Sequence, residues 1–249
     1  MYEYDQKFLD ALKSPIVTWG PEQVKIVNLD IPLSEYSFSY DEGSGTAIAT
    51  TPRFTLHSVT ADDFEFLQSL YGDAKVMAKY ATGTIKTPEY TIERLEVLAG
   101  RWTSGNPYSA MIAQRKSDNI SVGMYNLGYA VDAENNVKPG VTEFAAVSDA
   151  NTWNQDNATE LMLLLYVVCK YFNDNGYEIA GAELTSVTTA ARDDNIGANK
   201  VLQKTGFTWL YNADLYGAPR ECYEEPVANM LELLANTEAA AASKLMPSL

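Results

Sequence analysis

The chain has 249 residues, enough for one large domain or two small ones, and the composition of an ordinary globular protein. Its formal net charge is −15 and its pI lies near 4.4, which argues against a nucleic-acid partner, because a phosphate backbone calls for a basic face. That balance fits a basic or amine-bearing partner, and solubility alone explains it equally well. Cys169 falls inside an apolar helix pattern as a core residue, and with Cys222 it makes no disulfide framework or zinc site. The only histidine, His57, excludes multi-histidine metal centres, and the alternation of R-F-T-L-H-S-V around it predicts an exposed or edge-strand residue. The start, MYEYDQKFLDALKS, lacks the pattern of a signal peptide, and no run reaches the ~18 apolar residues of a membrane span. A cytoplasmic location and no membrane partner are the expectation.

In chain order, residues 2–13 predict a short amphipathic helix and Ser37 to Tyr40 a strand, followed by a turn at D-E-G-S-G. R-F-T-L-H-S-V reads as a strand. Thr60 then caps a helix with Phe64, Leu67 and Leu70 at helical spacing. A second helix runs from Thr91 to Trp102, and strands cover 108–114 and 120–130 around the turn R-K-S-D-N. Val141 to Val147 is a strand, Ala158 to Phe172 an apolar helix that Gly176 closes, and 177–187 another strand. Asn195 to Thr205 is a helix, 207–211 and 221–223 are short strands, and 231–242 is helical with an end that should fray. This order predicts an α/β (α+β) fold with a mixed, mostly antiparallel sheet. The simplest division is a domain over 51–225 with extensions at 1–50 and 226–249; covering a cleft, completing the core or forming a homodimer are roles open to those extensions.

Four strings in this order resemble the GCN5-related N-acetyltransferase (GNAT) superfamily, nearest its ribosomal-protein N-terminal acetyltransferase branch. T-P-R-F-T-L-H-S-V-T-A-D-D-F resembles the opening strand and helix of that branch. Y-S-A-M-I-A-Q-R-K-S-D-N-I-S-V-G resembles its next hairpin, with Gly123 at the family glycine. T-E-F-A-A-V-S-D-A-N-T-W-N-Q-D-N-A-T-E-L resembles its acetyl-CoA strand and pyrophosphate loop, and D-D-N-I-G-A-N-K-V-L-Q-K-T-G-F its last helix.

The resemblance implies helices on both faces of the sheet and a splay between two parallel central strands. Acetyl-CoA would enter there as co-substrate, with no metal. Its pantetheine would pair with Ala146, Val147 and Ser148, and its pyrophosphate would rest on Trp153, Asn154, Gln155, Asp156, Asn157, Ala158 and Thr159. Asn195 matches the family Asn near the cofactor, and Ala198 stands where Ser is commoner. The acceptor would be an amine on a protein N-terminus, a lysine or a small molecule. Glu143 is the first choice of base and Glu183 the second; Tyr211 is the expected acid, with Tyr216 beside it, and an amide near Val147 would hold the oxyanion.

The loop departs from the family string Trp-Gly-x-Gly-x-Ala-Thr-Glu. Asn154 and Asp156 replace both glycines, and Asn reaches positive φ at moderate cost. Asp156 would face solvent, repel two phosphates or turn back to cap the helix. Asn157 and Glu160 also fit a capping box, which would occupy the amides a phosphate needs. A binding or interaction module with weakened acetyl-CoA affinity is therefore the alternative function, and a transferase for a longer acyl-CoA a third.

Overall fold

A computed structural model describes residues 33–132 and 135–245, the last nine of these by backbone alone. The helix expected over residues 2–13 and the chain end at 246–249 lie outside the described residues. Nine strands form one sheet. In chain order they are β1 (Ser37–Asp41), β2 (Thr46–Thr50), β3 (Phe54–Ser58), β4 (Ala110–Arg115), β5 (Ser121–Val131), β6 (Val137–Ser148), β9 (Ser186–Arg192), β10 (Thr208–Leu215) and β11 (Ala218–Pro226). The spatial order is β1-β2-β3-β4-β5-β6-β9-β11-β10, antiparallel throughout except for β6 with β9. A separate small hairpin joins β7 (Glu178–Ile179) to β8 (Ala182–Glu183). The helices are α1 (Phe64–Tyr71), α2 (Ala74–Met77), α3 (Pro88–Thr103), α4 (Asn157–Asp174), α5 (Ile196–Lys204) and α6 (Val227–Leu245).

Three differences from expectation have local causes. The helix expected from Thr91 starts at Pro88, because the Thr87 side chain accepts from the Tyr90 N–H (3.4 Å) and proline suits the first helical position. The strand expected over 177–187 is broken by Ala180 and Gly181, both at positive φ (52° and 75°). They turn the chain into the β7–β8 hairpin, and the strand that joins the sheet begins only at Ser186. The two short strands expected near the C-terminal end form one long hairpin. Its two-residue turn, Tyr216–Gly217, has positive φ at both positions (55° and 77°), the geometry that matches strand twist.

Side-chain alternation along β6 decides what each face meets. Phe144 is buried on the α4 side, where α4 contributes Leu161, Leu164, Leu165, Val168 and Phe172 to the core. Glu143 points to the opposite face, as does Met124 of β5 by register, and there the Tyr71 hydroxyl of α1 reaches the Met124 sulfur. Burying a leucine of α4 contributes about 1.5–3 kcal/mol. Leu67, Leu98 and Met77 of α1–α3 are fully buried in the same core. Strands β1 and β2, which precede residue 51, extend the same sheet, and Phe38 stacks edge-on against Tyr171 and Phe172 of α4.

Among the described residues no helix is long and apolar enough to cross a membrane. No group of three or more His, Cys, Asp or Glu side chains converges there as a metal site.

Candidate active site

The parallel pair β6–β9 holds together for three residue pairs only: Val141 with Ser186, Thr142 with Val187 and Glu143 with Thr188. Beyond Glu143, β6 continues to Ser148 and β9 to Arg192 without pairing, so the sheet splays open after that carboxylate. The Thr188 hydroxyl donates to the Thr142 carbonyl (3.4 Å), so Thr142 looks toward β9. The Asp149 N–H donates to the Val122 carbonyl (3.0 Å), so Asp149 looks toward β5. Backbone groups alternate along a strand, and Phe144, Ala146 and Ser148 therefore turn theirs into the splay. Val147 turns the other way; its carbonyl lies 2.7 Å from where a Cβ on Gly123 would stand. This geometry corrects the expectation that Val147 offers its backbone to the gap. It also explains Gly123, since any side chain there would strike β6.

Past the splay, Trp153 folds back, and its indole N–H donates to both the carbonyl and the hydroxyl of Ser148 (3.1 and 3.0 Å). The Lys75 ammonium of α2 sits 5.3 Å from the Trp153 ring. The loop then takes the shape that its missing glycines would have allowed. Asn154 and Asp156 are both left-handed, with φ of 60° and 55°. Asp156 is exposed and its side chain makes no capping bond to α4.

The expected capping box is absent because Arg53 draws both of its members away. Arg53 pairs with Glu160 through Nε (2.5 Å), and its Nη1 donates to the Gln155 carbonyl (3.0 Å) and to Asn157 Oδ1 (3.3 Å). Glu160 also accepts from the Thr51 hydroxyl. Asn157 Nδ2 is spent on the Thr152 carbonyl (3.1 Å). Arg115 fixes the Gln155 side chain through its Oε1 (3.0 Å). The first-turn amides of α4, from Asn157 through Ala158 and Thr159, thus have no side-chain cap among the described residues. A helix N-terminus in that state offers unfilled donors and a partial positive charge. Asn195 caps α5, its Oδ1 accepting from the Ala198 N–H (3.3 Å).

Glu143 closes the splay from the other side. It is half-buried, and burial pushes its carboxyl above the ordinary carboxylate range, while the charges of Arg220 and Arg94 oppose that rise. Tyr80 lies near enough to feel the Glu143 charge, and its own hydroxyl is pushed up by burial. It stacks on Tyr71 at 6.3 Å and 17°.

Tyr211 shares the Glu143 face by register, through Cys222 and Ala190, but three strand spacings, about 14 Å, separate its backbone from β6. Its ring packs with Ala213, Cys222 and Leu215. Tyr216 stands at the hairpin tip over Arg220, 5.1 Å from the guanidinium. Glu183 is exposed on β8, before the closed end of the parallel pair. His57 is half-exposed on β3, which is paired on both sides rather than at an edge, and its Nε2 faces Asp63 at 3.7 Å.

Sequence reasoning missed Arg94, Arg220 and Tyr80. Arg220 had a usable signal: it sits in an alternating strand at a position that folds to 4% exposure. Arg94 and Tyr80 come to Glu143 from α3 and a loop, and no spacing along the chain announces that.

Comparison with known proteins gives the family and the fold. The family model described as "Acetyltransferase (GNAT) domain" matches residues 53–208. A search of curated proteins by sequence gives no significant match. Among solved structures, a GNAT-family acetyltransferase from Bacillus anthracis superposes with a TM-score of 0.56 at 15% identity, covering 73% of this chain and 99% of that one. A ribosomal-protein alpha-N acetyltransferase in complex with coenzyme A gives 0.53 at 14%, covering 71% and 95%. A spermidine N-acetyltransferase from Vibrio cholerae, with CoA and spermine, gives 0.53 at 14%, covering 72% and 98%.

Proposed function

The chain belongs to the GNAT acetyltransferase family, and from that premise we propose that it moves an acetyl group from acetyl-CoA directly to an amine. The observation that carries this reading is the open splay after Glu143, which leads to an α4 N-terminus with no side-chain cap. Phosphate oxygens are the natural partners of such amides. The alternative of a non-enzymatic module leaned on the absent glycines. Both replacements adopt the left-handed backbone that glycine would supply, which weighs against it.

In this proposal Ala146 and Ser148 pair with the pantetheine arm, and the amides of Asn157, Ala158 and Thr159, reached through Trp153, Asn154, Gln155 and Asp156, receive the pyrophosphate. The acceptor enters from the Glu143 face. An amine attacks a thioester only when neutral, so Glu143 takes its proton, directly or through water. The new C–N bond forms as the C–S bond breaks, and the departing thiolate takes a proton to leave as the free thiol of CoA. Tyr80, which feels the Glu143 charge, is the nearer donor, and Tyr211 is the more distant one, three strand spacings from β6. A splay-facing amide, Phe144 or Ala146, is aimed to hold the carbonyl oxygen as charge develops.

Acetyl-CoA at one hundred times its Kd should stabilise the protein by about 2.7 kcal/mol, a clear rise in Tm. No rise at millimolar acetyl-CoA would reject the reading. Release of free thiol across a panel of amines then identifies the acceptor.

A further inference from the structure

The chain is strongly acidic, yet its unpaired arginines gather at one place. Arg53, Arg115 and Arg192 each have a carboxylate within 4 Å. The other arginines of the chain, Arg94, Arg101 and Arg220, have none among the described residues. All three belong to the sheet face that carries Glu143.

Arg94 and Arg101 are seven residues apart on α3, two helical turns, and so share one side of it. Arg94 lies close enough to Tyr71 and Glu143 for its charge to act on both. Arg101 donates to the Tyr108 carbonyl (3.2 Å) and lies over the Tyr129 ring at 5.2 Å. Its Nη1 stands 3.9 Å from where a Cβ on Gly128 would be, and Gly128 is the β5 residue directly across from Glu143. Gly128 also leaves room for the buried Asn126 carboxamide, whose Oδ1 has no partner among the described residues.

Arg220 is 4% exposed. It lies opposite Arg192 in the β9–β11 ladder, so two guanidinium groups occupy adjacent positions on this face. Its hydrogen bonds go to neutral carbonyls, those of Leu215 and Ala81. The Ala81 contact draws the 79–86 loop over this face, and Lys79 of that loop pairs with Asp194 (2.9 Å), as does Arg192 (3.1 Å). Among the described residues, Arg94, Arg101, Arg192, Arg220 and Lys79 thus share this face with three carboxylates: Asp194, Glu143 and, next to Thr188 in the ladder, the half-buried Glu224. Tyr216 holds a left-handed backbone at φ 55° over Arg220, a conformation unfavourable for a tyrosine.

Carbonyl bonds alone would be served as well by neutral donors, and a buried charge without a partner is costly. We propose that the acceptor carries an anionic oxygen group, a carboxylate or a phosphate, besides the amine that is acetylated, and that Arg220, with Arg94 and Arg101, receives it. Guanidinium forks match both groups bidentately. The proposal rests on the transferase reading and narrows its acceptor. A polycation such as the spermine bound by the Vibrio cholerae structural neighbour would meet a wall of its own sign.

The test takes the full chain, first shown to bind acetyl-CoA by thermal shift, so failure of the transferase reading is seen separately. Matched acceptors of equal chain length are then compared by thiol release and, with CoA present, by calorimetry: an alkyl monoamine, an α,ω-diamine, an amino carboxylate and an aminoalkyl phosphate. At least one anionic acceptor should exceed the diamine in kcat/KM or affinity by tenfold or more, and the two anionic arms tell carboxylate from phosphate. R220Q should lower kcat/KM for that acceptor at least tenfold more than for the monoamine, with acetyl-CoA affinity kept. If R220Q fails to fold, R94Q, at a half-buried helix position, serves in its place. If acetyl-CoA binds but the diamine equals or beats both anionic compounds in turnover and in binding, the proposal falls. An equal loss for all acceptors in the variants would also overturn it.

Discussion

The loop proposed to hold the pyrophosphate and the Glu143 face are built on opposite principles. The loop is a backbone device: Asn154 and Asp156 contribute φ values near +60°, and α4 contributes free amides. Its side chains matter through the conformations they tolerate, which is why two glycines can be absent while the geometry remains. The Glu143 face is a side-chain device. Glu143, Arg94, Arg101 and Arg220 arrive from two strands and a helix, and each acts through charge. On the proposed reading, cofactor geometry persists under wide sequence change, whereas acceptor choice is written in a few side chains.

Substitutions at four residues, with one wild-type pH profile, sharpen or break that contrast. Glu143→Gln should cut kcat/KM by about 10²–10⁴-fold and leave acetyl-CoA affinity unchanged. Wild-type kcat/KM should fall as pH drops through the raised Glu143 carboxyl, because the base must be ionised. A loss of cofactor affinity instead would mean that the two regions are not separable.

The next effect concerns the floor beneath them. Glu225 of β11 is 5% exposed, with Oε2 unpartnered among the described residues, and burial lifts its carboxyl to about 7 against a hydrogen bond from Asn229. A raised carboxyl favours the folded state fully below its ordinary value near 4.5, and that contribution is lost as pH climbs through about 7. Glu225→Gln should flatten this decline, by at most roughly 3 kcal/mol, in urea melts at pH 5 and pH 8. An unchanged decline would remove Glu225 as its source.

Smaller again is Asn154→Val, which places a β-branched residue at φ 60°. It should weaken acetyl-CoA binding by about 1–3 kcal/mol without deleting a side-chain contact to phosphate, whereas Asn154→Gly should not weaken it. Equal losses in both would mean that the Asn side chain itself binds. The smallest change is Asp156→Gly, which relaxes a left-handed residue and removes an exposed negative charge. A gain in affinity of a few fold, largest at low salt, is expected. Asp156→Ala separates the causes: it removes the charge and keeps the backbone cost.

The sequence by itself determined most of the order of elements and the apolar face of α4, because each is written in local periodicity, and its resemblance to the family pointed to the strand that ends in the splay and to the loop proposed to carry phosphate. It also pointed to Asn154 for a glycine's turning work, while the structure showed that Asp156 turns in the same way. Only the tertiary structure decided that Arg53 would undo the Asn157–Glu160 cap, since Arg53 and Glu160 lie 107 residues apart and meet through packing. The same holds for Val147, whose backbone direction follows from its register with β5, and for Tyr211, which the β10–β11 hairpin sets three strand spacings from Glu143. The gathering of unpaired arginines was hidden for a related reason. Net charge sums over the whole chain, while a ligand feels only the few charges that folding brings within reach.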